Sequence, residues 1–300
     1  MNKSIGLDIG GTKIAGALFD DKGAELAQIV EPSPKTYDAF LDVCRDIVSR
    51  LEKNSGKAHF IGAGICGFMD RETGLLKGSP NLRCVLDKPV EADLQKILGC
   101  MVRVENDAVC AALAEAMEGA GKGYKTVFGL ILGTGVGGGY IFDGHVIAGA
   151  NGMSGEIGHL PLPSYEAADG AWPKCGCGLE GCAEMFVSGA GLARLYEAAT
   201  NKKADAKEIG ALAGQGDAAA KKVLDKYFTL VAKAMVTILQ SFDPDIITVS
   251  GGLNALPGLY EEVPKRWGKY GICKKPRTKF VPAKFGALAG LRGAALLGKI

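Results

Sequence analysis

The chain contains one local pattern twice, and this repetition constrains the fold more than any other feature. Residues 5–23 read IGLDIGGTKIAGALFDDKG and residues 128–144 read FGLILGTGVGGGYIFDG. Each segment has an apolar run, a turn rich in glycine and threonine, a second apolar run and an Asp/Gly turn. The second run is too short and too rich in glycine for a helix, so both segments predict a strand, a hairpin turn and a strand. An internal repeat of this kind predicts two similar α/β halves.

The second turn also matches a nucleotide-binding motif. Gly133, Gly135 and Gly138 have the GxGxxG spacing of dinucleotide-binding proteins. That motif needs a helix directly after the glycines, whereas GYIFDG predicts a strand, which argues against a dehydrogenase. A Walker A loop is excluded as well, because no Gly-Lys pair has the required spacing. The duplicated turns, with Thr12 and Thr134 at matching places, instead predict two backbone cradles for phosphate oxygens. Ordinary tight turns are the alternative.

Composition excludes several classes of protein. The 300 residues carry a formal net charge of +2, which favours neither nucleic acid nor an anionic membrane as a partner. The longest uncharged run, 126–142, has 17 residues, six of them glycine, and is a poor membrane helix. Asp8 interrupts the apolar start of the chain, so we expect no secretory signal. The nine cysteines are mostly scattered, which is typical of a reducing cytoplasm.

The segments between the repeats predict further elements. Apolar residues recur on one face of a helix over 37–51 and over a longer stretch, 217–241. HFIGAGIC and MVRVEN predict strands, and DAVCAALAEAMEG predicts a helix that begins at Asp107. DPDIITVSGGL predicts a turn, a buried strand and a glycine pair. The weakest candidate for a domain boundary is 119–125.

One carboxylate has a position that suits catalysis. Asp107 follows a predicted strand and begins a predicted helix, and ligands of open α/β sheets bind beyond the carboxyl ends of strands. Asp107 is equally well placed as the N-cap of that helix. Because a helix N-terminus favours a negative charge, we expect this carboxylate to be ionised and able to accept a proton from a sugar hydroxyl.

The cysteine cluster is the most specific local signal. His159 is followed by Cys175, Cys177 and Cys182. Three cysteines and one histidine form a closed tetrahedral set of zinc ligands, which predicts a structural rather than a catalytic metal. Free buried cysteines are the alternative. If one ring nitrogen of His159 binds zinc, the other is held in a fixed direction, so Glu156 and Glu184 border a rigid polar wall.

Together these motifs resemble one family. DIGGTK (8–13), ENDA (105–108), GTGVGGG (133–139), GEIGH (155–159) and CGCGLEGC (175–182) occur in the order found in the ROK family of repressors, open reading frames and sugar kinases. The resemblance covers nearly the whole chain. It implies an α/β protein with the actin-like, ribonuclease-H-like ATPase fold, whose two α/β domains enclose a cleft. We expect an N-terminal domain over 1–118, completed by a C-terminal helix at 287–300, and a larger domain over 119–286 with the zinc site.

The resemblance implies a role for each matching residue. Asp107 is the expected catalytic base, and Asp8 is expected near Mg²⁺ and the γ-phosphate of ATP. The expected nucleotide-binding residues are Gly10, Gly11, Thr12 and Lys13 in the first turn, Gly133 and Thr134 in the second, and Gly251 and Gly252 beside the adenosine. The expected sugar ligands, besides Asp107, are Asn81, Asn106, Glu156, His159 and Glu184. The expected zinc ligands are His159, Cys175, Cys177 and Cys182.

Within the family, the sequence is most similar to the branch that phosphorylates the 6-hydroxyl of N-acetylglucosamine. Glucose and N-acetylmannosamine are the alternative substrates, and a homodimer is a further implication. Cys66 and the non-aromatic NLRCVL segment depart from the family pattern near the expected sugar pocket. The long insert between His159 and Cys175 resembles this branch and is expected to border the acetamido group. Fructokinase-like members have a histidine within the cysteine cluster, and this sequence has none there.

Two other classes of function are disfavoured by the sequence. Sugar-responsive regulators of the family carry a helix-turn-helix before the first turn, which here begins at Asp8, so we expect a chain without that module. A non-catalytic sugar-binding scaffold is disfavoured by the presence of both Asp107 and the two predicted phosphate turns.

Overall fold

A computed structural model describes residues 3–53, 55–79 and 81–300. In chain order, its elements up to the second hairpin are β1 (Ser4–Ile9), β2 (Lys13–Phe19), β3 (Glu25–Pro32), α1 (Tyr37–Glu52), β4 (Phe60–Ile65), β5 (Phe68–Met69), β6 (Leu76–Lys77), α2 (Val90–Leu98), β7 (Val102–Asn106), α3 (Asp107–Met117), β8 (Thr126–Leu132), β9 (Val136–Phe142) and β10 (His145–Val146). They are followed by α4 (Glu184–Val187), α5 (Gly189–Thr200), α6 (Ala206–Gly214), α7 (Ala218–Phe242), β11 (Ile246–Ser250), α8 (Leu259–Tyr270), β12 (Lys279–Pro282) and α9 (Ala289–Leu296).

The chain divides into two compact units. The first contains the described residues up to Gly123 together with Gly139–Ser154 and Phe285–Ile300, and the second contains Tyr124–Gly138 and Gly155–Lys284. The helix predicted at the C-terminus therefore lies in the first unit. The boundaries proposed from the sequence, at 118/119 and 286/287, stay a prediction.

The first unit is built on a five-stranded sheet with the order β3-β2-β1-β4-β7. β1 pairs antiparallel with β2, and β1, β4 and β7 are parallel, so their carboxyl ends lie at the same edge. One face of the sheet packs against α1 and α2 and the other against α3 and α9. The predicted strand, turn and strand over the first repeat is thereby confirmed.

Glycines set how closely one helix approaches this sheet. Gly6 of β1 and Gly62 of β4 are register partners. A Cβ atom on Gly6 would lie 1.8 Å from the carbonyl oxygen of Leu291, and one on Gly62 would lie 1.8 Å from that of Ala294. The backbone of α9 therefore rests directly on the two central strands, which a larger residue at either glycine would prevent.

The second repeat forms part of another five-stranded sheet, of which β8, β11, β12 and β9 as far as Gly138 belong to the second unit. The sheet order β10-β9-β8-β11-β12 places β8 beside β9, which confirms the second predicted hairpin, and β8, β11 and β12 are parallel. α7 is the long helix that the sequence predicted over 217–241, and β11 is the predicted buried strand before the glycine pair. None of the helices in the described part of the chain combines the length and apolar character needed to cross a membrane.

Candidate active site

The first cluster of candidate residues lies at the carboxyl edge of the first sheet. Asp8 in β1 is the register partner of Gly64 in β4, and Asn106 ends the neighbouring strand β7. A Cβ atom on Gly64 would lie 3.3 Å from Cys110 Sγ and 3.5 Å from Asp107 Cα. The missing side chain of Gly64 thus lets the first turn of α3 sit against β4. The strand order brings Asp8 and Asp107 to one edge, as the sequence predicted.

Asn106, and not Asp107, caps α3. Its Oδ1 accepts hydrogen bonds from the backbone N–H groups of Ala108 and Val109, at 2.9 and 3.2 Å, and its Nδ2 donates to the carbonyl of Gly67. The N-cap role considered for Asp107 was therefore wrong, because the helix begins at Asp107 itself, one residue earlier than that role requires. The Asp107 side chain is released from capping and belongs to the first helical turn.

Asp107 is mostly removed from water. Burial raises the pKa of its carboxyl group, and the hydrogen bond that Oδ1 accepts from the Ala108 N–H, at 2.8 Å, opposes that rise. The loss of hydration outweighs the amide contact, so the pKa of Asp107 lies above its ordinary value. A raised pKa makes the carboxylate a stronger base, which suits proton abstraction.

The pKa of Asp8 is raised as well. Burial first, and then the negative charge of Asp107, raises the pKa of Asp8 to about 6, while Lys13 lowers it. The carboxylate lies against α9, because a Cβ atom on Gly290 would be 3.5 Å from Asp8 Cγ and Oδ2. The repulsion between the two carboxylates favours a positive charge near Asp8.

A further acidic residue supports this edge and was missed by the sequence reading. Glu105 is buried; its Oε1 accepts a hydrogen bond from the Asn106 N–H at 2.9 Å, and its Oε2 pairs with Arg71 at 2.7 Å. The contact fixes the backbone directly before Asp107. Glu105 and Arg71 are 34 positions apart, so only the ENDA motif itself pointed to Glu105, and nothing in the sequence pointed to Arg71.

The first predicted phosphate turn contains Gly10, Gly11, Thr12 and Lys13. The Gly10 N–H donates within the turn to the Lys13 carbonyl, at 3.0 Å. A Cβ atom on Gly11 would lie 2.4 Å from the carbonyl oxygen of Asn81, so this glycine is required by a close backbone approach. The structure thereby brings Asn81, an expected sugar ligand, against the first turn. Thr12, Lys13 and Asn81 are exposed and available to a ligand.

The second predicted phosphate turn lies beside the glycine pair that follows β11. A Cβ atom on Gly133 would lie 3.8 Å from the Gly252 nitrogen and 3.9 Å from Gly251 Cα. Gly251 has φ +89°, in the region that favours glycine. The Gly189 N–H, at the start of α5, donates to the Gly133 carbonyl at 2.8 Å. Thr134 is exposed at the tip of the turn. These expected nucleotide-binding residues therefore form one group within the second unit.

The histidine and three cysteines come together as the sequence predicted. The ligand atoms of His159, Cys175, Cys177 and Cys182 all lie within 4.8 Å of one another. Cys175 Sγ is 3.7 Å from His159 Nδ1, and Cys177 Sγ is 3.7 Å from Cys182 Sγ. Zn–S bonds of about 2.3 Å at tetrahedral angles require sulfur atoms about 3.75 Å apart. The donor set and its spacing thus fit a tetrahedral metal ion.

Two of the expected sugar ligands adjoin this cluster. Glu156 directly precedes the short 3₁₀ turn Ile157–His159, and its Oε2 lies 3.8 Å from Nε2 of His159. Nδ1 of the histidine therefore faces the sulfur atoms and Nε2 faces the carboxylate. Glu184 is two residues after Cys182, and its Oε2 accepts a hydrogen bond from the Val136 N–H at 2.8 Å. The structure thus ties Glu184 to the second turn, which the sequence did not indicate.

The long insert between His159 and Cys175 is anchored by an internal ion pair. Asp169 pairs with Lys233 of α7 at 2.7 Å, and both side chains are buried. Within the insert, Tyr165 packs edge-on against Trp172, with ring centroids 4.6 Å apart. Removing either partner would leave an uncompensated buried charge, so the pair holds the insert in one position. The predicted contact with an acetamido group stays a prediction.

Comparisons with known proteins identify the relatives of this chain. The ROK family model matches residues 4–299. A Haemophilus influenzae protein named N-acetyl-D-glucosamine kinase is 39% identical over 302 residues, which cover 97% of this chain and 98% of that protein. A ROK hexokinase from Thermus thermophilus superposes with a TM-score of 0.85 at 34% identity, covering 98% of this chain and 97% of that one.

A third relative was solved with ligands. It is a ROK family glucokinase from Streptomyces griseus in complex with glucose and AMPPNP, with a TM-score of 0.79 at 29% identity, and 99% of each chain is covered. These likenesses confirm the predicted family and the actin-like fold of sugar kinases.

Asp8→Asn is expected to stabilise the metal-free protein at pH 8 by about 1–3 kcal/mol and to have little effect near pH 4. With a pKa of about 6 in the folded protein, against 3.8 ordinarily, Asp8 holds its proton more tightly folded than unfolded. Its contribution to stability therefore falls as the pH rises through 4 to 6. Urea unfolding at both pH values measures the difference, with Asp21→Asn in the exposed β2–β3 turn as control. Destabilisation of Asp8→Asn at pH 8 would contradict the assignment.

Proposed function

Because the chain belongs to the ROK family, we propose that it transfers the γ-phosphoryl group of ATP to the 6-hydroxyl of N-acetylglucosamine. The observation that carries this proposal is the 39% identity to a kinase of that name over nearly the full length of both chains. The released, buried carboxylate of Asp107 gives the reaction its base. The product is N-acetylglucosamine 6-phosphate.

Acceptor activation is assigned to Asp107. Its raised pKa lets it accept the proton of the 6-hydroxyl as that oxygen attacks the γ-phosphorus. Asn106 and Glu105 accept hydrogen bonds from the backbone on either side of Asp107 and so fix its position. The Asn106 amide already makes three hydrogen bonds, so only the second N–H of Nδ2 is left to bind a sugar hydroxyl.

The phosphate groups of ATP are assigned to the two glycine turns. In the first unit we assign the γ-phosphate to Thr12, Lys13 and the remaining backbone N–H groups of the turn. Asp8 would hold Mg²⁺ through its carboxylate. When bound, Mg²⁺ offsets negative charge on the transferring phosphoryl group. In the second unit, Gly133 and Thr134 bind the phosphate chain, and Gly251 and Gly252 lie beside the adenosine.

Sugar recognition in the second unit is assigned to Glu156, His159 and Glu184, and in the first unit to Asn81 and Asn106. Carboxylates and an imidazole nitrogen are suited to hydrogen-bond a polyhydroxylated ring. We assign zinc as a structural ion to His159 and the three cysteines of the cluster, with Nδ1 as the histidine ligand. Nε2 is then the ring atom that faces the sugar.

Glucose and N-acetylmannosamine remain the alternative substrates, since they differ from N-acetylglucosamine by one substituent or one stereocentre. The Haemophilus influenzae relative, named N-acetyl-D-glucosamine kinase, and the long insert support the choice of N-acetylglucosamine. A cytoplasmic location and a homodimer stay predictions.

Asp107→Asn should lower kcat for N-acetylglucosamine by about 10²- to 10⁴-fold and change its KM by less than about threefold, because the shape is kept and the base is lost. ATP consumption is measured with N-acetylglucosamine, glucose, N-acetylmannosamine and fructose in parallel. Asp143→Asn, in the exposed β9–β10 turn, is the matched control and should retain wild-type activity. Preference for another sugar would contradict the substrate; full activity of Asp107→Asn would contradict the mechanism.

Purified protein should contain about one zinc per chain, and Cys182→Ser should lose most of it, since removing a ligand opens the tetrahedral set. Elemental analysis measures the metal, and a thermal melt shows that a chelator lowers the midpoint of the wild type but not of Cys182→Ser. Cys273→Ser, at an exposed cysteine outside the cluster, should keep its zinc. A wild-type protein free of zinc and unaffected by the chelator would refute this assignment.

A further inference from the structure

The second glycine turn is attached at both of its ends to one short segment. At its start, the Gly133 carbonyl accepts a hydrogen bond from the Gly189 N–H at 2.8 Å. At its end, the Val136 N–H donates to Oε2 of Glu184, also at 2.8 Å. Glu184 and Gly189 are five positions apart at the junction of α4 and α5. Of these two attachments, only the one at Glu184 is made by a side chain.

The fit between Glu184 and this turn is close. A Cβ atom on Gly135 would lie 2.8 Å from Glu184 Oε2, which is inside the contact distance of real side chains. Glycine at 135 is therefore what allows the carboxylate to reach the Val136 N–H. A hydrogen bond to a carboxylate is stronger than one between neutral groups, so losing it leaves the turn less ordered.

The carboxylate has a second oxygen. Among residues 3–53, 55–79 and 81–300, no hydrogen bond reaches Oε1 of Glu184, and the side chain is half-buried. Glu184 is also two residues from Cys182, so the histidine and cysteine cluster restrains its backbone. The Glu184 carboxylate thus has one oxygen bound to the second glycine turn and one available to another ligand.

We propose that Glu184 is a positioning residue for the nucleotide turn as well as a sugar ligand, and that it couples the two substrates. Oε2 holds the turn at Val136 in the geometry that binds the phosphate chain, and Oε1 binds a sugar hydroxyl. A sugar that fixes the carboxylate also fixes the turn, so each substrate raises the affinity for the other. This proposal rests on the proposed function, since it assigns a nucleotide to the second turn.

Calorimetry with Mg²⁺ and the non-hydrolysable analogue AMPPNP, without sugar, tests the positioning role. Glu184→Ala should weaken AMPPNP binding at least fivefold. Glu184→Gln keeps an acceptor oxygen for the Val136 N–H and should bind AMPPNP within about twofold of wild type, while its KM for the sugar rises. Glu180→Ala, at an exposed glutamate of the same segment, is the control and should match wild type.

Addition of N-acetylglucosamine tests the coupling. The sugar should tighten AMPPNP binding to the wild type at least threefold and leave binding to Glu184→Ala unchanged. Gly135→Ala, which displaces the carboxylate without removing it, should reproduce the AMPPNP defect and serves if Glu184→Ala fails to fold. AMPPNP binding to Glu184→Ala and Gly135→Ala at wild-type affinity would overturn the proposal while leaving the kinase intact. A wild type that binds no AMPPNP would instead overturn the proposed function.

Discussion

The close approach of helix backbones to glycine-bearing strands is the constraint on which the first unit depends. Gly6 and Gly62 let α9 rest on β1 and β4, and Gly64 lets the start of α3 sit against β4. The strand order places Asp8 and Asp107 at one sheet edge, and these contacts pack α9 and α3 closely around them. The same packing removes both carboxylates from water and raises their pKa values, so the fold itself supplies the basicity that the proposed reaction needs.

Each glycine turn is contacted by residues from outside its own hairpin. Gly11 fits against the carbonyl of Asn81, while the second turn is bound by Gly189 and Glu184. Anchoring a turn fixes the directions of its remaining N–H groups before any ligand arrives, and such preorganisation is what electrostatic stabilisation of a transferring phosphoryl group requires. Repetition of the hairpin thus provides two similar glycine turns with different supports, which we propose as the two phosphate cradles.

Short-range patterns in the sequence predicted many of the elements and one of the residue clusters. The two hairpins, α1, α3, α7 and β11 followed from periodicity and turn residues, and the metal cluster followed from four donors at short spacing. The helix begins at Asp107 as predicted, so its N-cap is Asn106, and the alternative that Asp107 is the cap was wrong. The sequence did not indicate contacts between residues that are far apart in the chain. The partners of Glu105, Asp169 and Glu184 lie 34, 64 and 48 positions away, and neither periodicity nor spacing reports such contacts.

The proposed reaction places the phosphoryl group on the 6-oxygen of N-acetylglucosamine. The most direct test is the position of the phosphate in the product, read from ³¹P–¹H correlation NMR after turnover of N-acetylglucosamine with ATP and Mg²⁺. A phosphorus signal coupled to the two protons on carbon 6 is the predicted result. Coupling to the anomeric proton, or phosphate released only as inorganic phosphate, would contradict the account.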